Sequence, residues 1–175
     1  MREKMPCPWR RFERGTDSHS PFPVRIRSGS LTSTSAKDRQ ILADAAAAHA
    51  TYLVTEDVDD FAPNDIHAAG LAAAVNPDLF LSRRVSHETY VAILDVICRG
   101  RTRYPQTPAQ LHSALAANHP LLYAAHARAF AVDPATPIHR QSRVLFRGTR
   151  CLGCAGPLND SARAAGLCEG CKQPD

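Results

Sequence analysis

Apolar and polar positions change rhythm along this chain. Residues 1–35 show neither a helical period nor a sustained strand alternation. Rich in Arg, Ser and Pro, they are expected to be disordered or irregular, with a weak strand candidate at Pro23–Arg27. A helical period then begins. Ile41, Leu42, Ala45 and Ala48 mark one face of a helix predicted over 36–49, with Ser35 as N-cap and Asp38 three positions on in a capping-box-like pair. The β-branched run Thr51–Thr55 reads as a buried strand, "EDVDDFAPND" as a turn-rich loop, and "GLAAAV" as a second strand.

From Ser86 the pattern is helical. Ser86 caps a run that sets Tyr90, Ile93, Leu94 and Ile97 on one predicted face. Thr107 caps a further helix with Pro108 at its first position, and Pro120 starts another. His112, His119 and His126 recur every seven residues, but Pro120 interrupts the helix between them, so they read as surface or helix-end residues and not as ligands. The stretch "AVDPATPIHRQSR" reads as a linker. The resulting division is an irregular segment at 1–35, an α/β domain with a helical tail at 36–130, a linker at 131–145 and a small module at 146–175.

Composition qualifies this outline. Apolar residues make up 44% of the 175, but aromatics only 6%, and alanine supplies much of the rest, so the expected core is lean. The net charge of +4 is unevenly spread: residues 36–80 hold two bases and eight acids, an acidic island between basic flanks. That distribution suits a cation centre with basic surroundings for a polyanion, and equally a solvated mixed-charge surface. No apolar run approaches the ~20 residues of a membrane span, and no signal-peptide core follows the N-terminal arginines. A cytoplasmic protein is expected, its cysteines reduced or metal-bound.

The cysteines carry the most specific motif. Cys151, Cys154, Cys168 and Cys171 form two C-x2-C pairs thirteen residues apart. Each pair turns two sulfurs toward one point, with Gly153 and Gly170 easing the turns, and four thiolates in a tetrahedron suit a structural Zn²⁺. A module so short is expected to draw its folding energy from the metal. Arg140, Arg143, Arg147 and Arg150 precede the first pair with no acid among them, and read either as phosphate contacts or as a soluble linker. Cys98 reads as a buried helix residue, and Cys7 as a free thiol.

The acids pose a second question. If helix 36–49 leads into strand 51–55 in an α/β layer, Asp38 and Asp57 reach the same sheet edge, where they can hold Mg²⁺ or Mn²⁺. Alternatively, Asp38 only complements the helix dipole, and Asp57, Asp59 and Asp60 form a solvated turn. The stretch "KDRQILADAAAAHATYLVTEDVDDF" resembles the second half of a PIN domain, the nuclease fold of VapC-type toxins in toxin–antitoxin pairs. The shared features are Asp-Arg at a helix start, a small-residue helix, a strand ending in Val-Thr and an acid before Asp-Phe. "DIHAAGLAAAVNPDLFL" is similar to that family's last strand and exit, and "RGRTRYPQTPAQLHSALAANHPLLYAAHARAF" to the helical tail of one subgroup.

The resemblance implies an incomplete three-layer α/β PIN-like fold with a helical tail and a zinc-knuckle module. It implies a metal-dependent endoribonuclease lineage in which Asp38 and Asp57 take later metal-coordinating positions, with Asp60 a further candidate. The family's earlier Asp and Glu have no counterpart, since Glu3, Glu13 and Asp17 are the only acids before residue 36. The chain is therefore expected to be truncated relative to the family, its sheet covered by an antitoxin, another protein or a second copy. The alternative is a non-catalytic remnant that binds RNA or a protein and carries structural zinc.

Overall fold

A computed structural model describes residues 28–132, 144–163 and 165–172. Most of the 1–35 segment, including Cys7 and the Pro23–Arg27 candidate, lies outside the described residues, as do Arg140, Arg143 and most of the expected linker. The fold is mixed α and β. It divides into two compact units, one holding described residues 28–76 and 144–172, the other 77–132. Residues 36–130 are thus shared between both.

The first unit is built on a three-stranded sheet, β1 (Tyr52–Val54), β2 (Ala73–Val75) and β3 (Phe146–Gly148). β1 pairs parallel with β2, Tyr52 opposite Ala73; β3 pairs antiparallel with β2 on its other edge, Gly148 opposite Ala73. β2 is buried throughout, as a central strand of small and β-branched residues should be. Gly148 is required there, because a Cβ would collide with Ala73 Cβ and the Ala72 carbonyl oxygen. β3 lies at the start of the expected separate module, and it sews the C-terminal segment into the sheet.

Helix α1 (Ala36–Ala47) starts as its cap predicts, with Ser35 Oγ accepting from Asp38 N. Asp38 does not complete the box through the Ser35 N–H; its carboxylate accepts the Ser35 hydroxyl at 2.5 Å. The helix stops two residues before the expected end, where His49 takes a left-handed φ of 53° and turns the chain into β1. Short α2 (Pro63–Ala68) follows the acidic loop. Leu31, Leu42, Val58, Phe61, Ile66, Leu71 and Ala74 close a core whose partly buried neighbours include Ala45, Ala46 and Leu53. It is lean, as the alanine content predicts.

Asp65 on α2 fastens this core to the chain before α1. Its carboxylate accepts from the N–H groups of Thr32 (3.3 Å), Ser33 (3.0 Å) and Thr34 (2.6 Å), while Thr34 Oγ1 accepts from Ala62 N at 3.0 Å. Burial pushes the carboxyl pKa up, but bonds from the Thr34 backbone and hydroxyl and from Ser33 and Thr32 outweigh it and hold the group below its ordinary value.

The second unit is helical: α3 (Pro77–Arg84), α4 (His87–Cys98), α5 (Pro108–Leu115) and α6 (Pro120–His126), then a 3-10 turn at Ala127–Phe130. Thr107 and Gln110 form a reciprocal capping box on α5 behind Pro108. Asp78 of α3 caps α6 from outside, accepting from Leu121 N at 3.0 Å and Leu122 N at 2.8 Å. Helix α4 departs from its expected orientation. Tyr90, Leu94 and Cys98 are buried, whereas Ile93 and Ile97 are 45% and 46% exposed. The aromatic anchor decides this, since Tyr90 is held in a ring cluster and brings the 90–94–98 row inward with it.

That cluster also corrects the surface reading for His112 and His126, although His126 does end α6 and His119 precedes it as N-cap. His112 and His126 are fully buried. Tyr90 stacks on His126 at 4.2 Å, and His112 stacks on Tyr123 and Phe130, each at 4.5 Å. Tyr90 Oη meets His112 Nδ1 at 3.1 Å, and His126 Nδ1 meets His87 Nδ1 at 2.8 Å. Burial pushes the Tyr90 pKa up to about 12. Burial, with smaller contributions from His87 and His112, depresses His126 to about 4; burial also lowers His112.

Two outcomes follow. Asp65→Ala leaves three backbone N–H groups without their acceptor and should cost about 3 kcal/mol, with Asp65→Asn recovering part; urea midpoints measure both. In the helical unit, the unfolded chain takes up a proton on His126 near its ordinary pKa of 6.5, while the folded unit resists it until about 4. Stability is therefore complete above about pH 6.5 and lost as pH falls toward 4, by roughly 2 kcal/mol at about pH 5. Amide exchange in α4 and α6, corrected for intrinsic rates, should show this, and His126→Phe should reduce the slope to what His112 contributes.

Candidate metal centre

The C-terminal segment leaves β3 into a tight hairpin. Leu158 N donates to Thr149 O, Cys151 N to Gly156 O and Ala155 N to Cys151 O, each at 2.8 Å, with Ala155 at a φ of 57° closing the turn. Helix α7 (Asp160–Arg163) is capped by Asn159, whose side-chain oxygen accepts from Ala162 N at 2.9 Å. The chain then returns through Gly166 to α8 (Glu169–Lys172). Gly166, at φ +65°, leaves no room for a Cβ beside the Phe146 ring. Leu152, Leu158, Ala162 and Leu167 are buried, so the segment has a small core of its own as well as its seam with the sheet.

This path brings Cys151, Cys154, Cys168 and Cys171 together, their sulfurs all within 4.8 Å of one another. Cys154 Sγ and Cys168 Sγ stand 3.8 Å apart. A zinc–thiolate bond of ~2.3 Å gives a tetrahedral edge of about 3.8 Å, so the four sulfurs can hold such an ion. Gly153 N and Cys168 N donate to Cys151 Sγ at 3.3 and 3.4 Å. Gly153 itself must be glycine, because a Cβ would lie 2.9 Å from Cys171 Sγ.

The thiols respond to this crowding in opposite directions. Burial raises the Cys151 pKa, but donation from the Cys168, Cys154 and Gly153 backbone and the Cys154 side chain brings it down to about 7. Burial pushes Cys171 up, and the neighbouring Cys168, Cys151 and Cys154 sulfurs add to the rise. Negative charge concentrated on one sulfur opposes ionisation of the next. A soft dication is the natural way to deprotonate all four. All four positions of the tetrahedron are then protein sulfurs, which leaves none open for a substrate.

The acids are placed differently. Asp38 is buried against its own cap serine. Asp57 and Asp60 are exposed at the 3-10 turn Val58–Asp60, with Asp57 N donating to Thr55 Oγ1 at 3.1 Å. Among the described residues, the cysteines are the one group of three or more ligating side chains gathered in this way. Arg147 reaches from β3 to the Phe61 carbonyl and to Asp59, 3.1 Å each, so it ties the acidic loop to the sheet. Arg150 is exposed beside the first knuckle, with Nη1 3.4 Å from Ala155 O. Exposed Arg163, which no sequence motif singles out, pairs with Asp160 at 3.1 Å.

One zinc per chain is expected by elemental analysis, and Co²⁺ should give a thiolate charge-transfer band. Gly153→Ala should weaken metal binding about tenfold or more by crowding Cys171, and Cys171→Ser more severely, both read by chelator competition. Compared with protein-family models, curated proteins and solved structures, the chain matches none of them.

Proposed function

We propose that this chain is a non-catalytic nucleic-acid-binding module of PIN-type lineage, in which a structural zinc centre fixes a basic surface for an RNA backbone. The carrying observation is the closed set of four cysteine sulfurs with exposed arginine beside it. A four-thiolate zinc stabilises a fold and performs no chemistry on a substrate. Arg150 and Arg163 project from the segment that the four sulfurs organise, and guanidinium groups held this way suit phosphate oxygens. The lineage rests on the Asp-Arg helix start, the Val-Thr strand and the Asp-Phe pair, together with parallel pairing of β1 and β2.

A second reading, a Mg²⁺- or Mn²⁺-dependent ribonuclease using Asp38, Asp57 and Asp60, draws on one observation. Asp57 lies three residues past the end of parallel strand β1, near the edge where α/β sites usually sit. Against it, one oxygen of the Asp38 carboxylate already accepts the Ser35 hydroxyl.

Zinc-loaded protein should bind single-stranded RNA with an affinity that falls steeply with salt. Arg150→Ala and Arg163→Ala should each lower the slope of log K against log salt by about 0.7. Asp57→Asn should bind as the native chain does, and neither should cleave RNA with Mn²⁺. Cleavage by the native chain that is lost in Asp57→Asn would replace this reading with the ribonuclease. Absence of binding at low salt would remove the nucleic-acid assignment.

A further inference from the structure

The loop between α4 and α5 has a charge pattern of its own. From Val96 to Val132 the chain holds four arginines and no acid, and Arg99, Arg101 and Arg103 fall within five residues. All three are exposed. Asp95, exposed one helical turn before Arg99, is the nearest acid along the chain, and the two form no ion pair. Among the described residues, no carboxylate pairs with any of the three guanidinium groups. Next to Arg103 stands Tyr104, 68% exposed, more than any other large apolar side chain among the described residues.

This loop is held in shape. Gly100, at φ +79°, turns the chain out of α4 in a conformation that glycine takes without strain. Arg101 N then donates to Cys98 O at 3.1 Å. Arg101 Nε donates to Pro105 O at 2.7 Å and Gln106 Nε2 to Thr102 O at 2.8 Å, so two side-chain bonds close the loop around Arg103 and Tyr104. At the far end, Gln110 Oε1 accepts from Gln106 N at 2.9 Å and from Thr107 N in the capping box of α5. Arg101 gives its Nε to the loop and keeps its Nη groups for a ligand. A loop fixed at both ends presents its ring and charges without first having to be ordered.

One exposed tyrosine is ordinary on a protein surface. An exposed ring among three unneutralised guanidinium groups fits a particular partner. An acidic peptide uses the charges and leaves the ring in water. A duplex offers phosphates but keeps its bases stacked on one another. A single strand supplies both, a phosphate at each nucleotide and an unpaired base to lie on the ring. We infer that the loop from Arg99 to Tyr104 binds single-stranded nucleic acid, with Tyr104 stacked on one base and Arg99, Arg101 and Arg103 on the adjoining phosphates. The site uses none of the residues beside the cysteine sulfurs, so it stands or falls apart from the nucleic-acid reading made there.

Anisotropy of a labelled single-stranded RNA of about 12 nucleotides, titrated with the full zinc-loaded chain, tests it. Tyr104→Ala should weaken binding about tenfold and leave the salt dependence unchanged, while Tyr104→Phe should bind as the native chain does. Arg103→Ala should lower the slope of log K against log salt by about 0.7. Both side chains are exposed, so melting followed by circular dichroism should match the native chain. Binding indifferent to Tyr104→Ala would overturn the proposal, and so would loss in Arg150→Ala alone, which leaves only the cysteine-side reading. Loss in Tyr104→Ala and Arg103→Ala but not in Arg150→Ala would uphold this site and remove the other. Absence of RNA binding, with phosphatidylserine vesicles bound through Tyr104, would overturn the proposal in favour of a lipid surface.

Discussion

Three residues hold the first unit together. Among the described residues, Ala73, Ala74 and Val75 form the one strand paired on both edges, with β1 parallel on one side and β3 antiparallel on the other. The chain leaves this strand at Asn76 and returns at residue 144, and Asn76 N donates to Leu145 O at the point of re-entry. Short strands supply few ladder bonds, so close approach matters more than length here. Alanine in β2 and glycine at 148 permit that approach, and a larger residue at either point would push β3 away.

The cysteine segment depends on this seam. Because β3 is fixed, Thr149 and Arg150 launch the hairpin from a set position, and Phe146 lies against Gly166 where the chain folds back. Two knuckles far apart in sequence then meet. Their sulfurs crowd closely enough that their ionisations oppose one another, which is the electrostatic condition a soft dication relieves. A metal held there would add to the folding of this segment alongside its buried leucines and the sheet. Arg147 adds to this, since its side chain joins the sheet to the acidic loop.

Two buried carboxylates serve the backbone. Asp65 gathers three N–H groups of the turn before α1, and Asp78 takes two from the start of α6. Each is formally one of the acids that make residues 36–80 look like a cation site. In the structure their negative charge meets orphan N–H donors, where a carboxylate is most strongly stabilised. The more conspicuous acids, Asp57 and Asp60, stay in water, where isolated carboxylates need no partner.

Local chemistry was determined by the sequence alone. Ser35, Ser86 and Thr107 cap their helices because a hydroxyl beside free N–H groups needs no tertiary help. The two C-x2-C pairs specify a four-sulfur cluster because each short turn delivers its sulfurs together. Alanine abundance implied a lean core for the same kind of reason, since small side chains bury little area. Tertiary structure decided what depends on a distant partner. β3 exists as a strand only because β2 offers an edge to Phe146–Gly148. The rotation of α4 follows from the rings that receive Tyr90. His112 and His126 are inside because stacking on Tyr123, Phe130 and Tyr90 outweighs the desolvation of neutral imidazole. Asp65 belongs to Thr32, Ser33 and Thr34, some thirty residues earlier in the chain. Hydrogen bonds across such separations leave no periodicity in a sequence, and only the folded chain brings their two ends together.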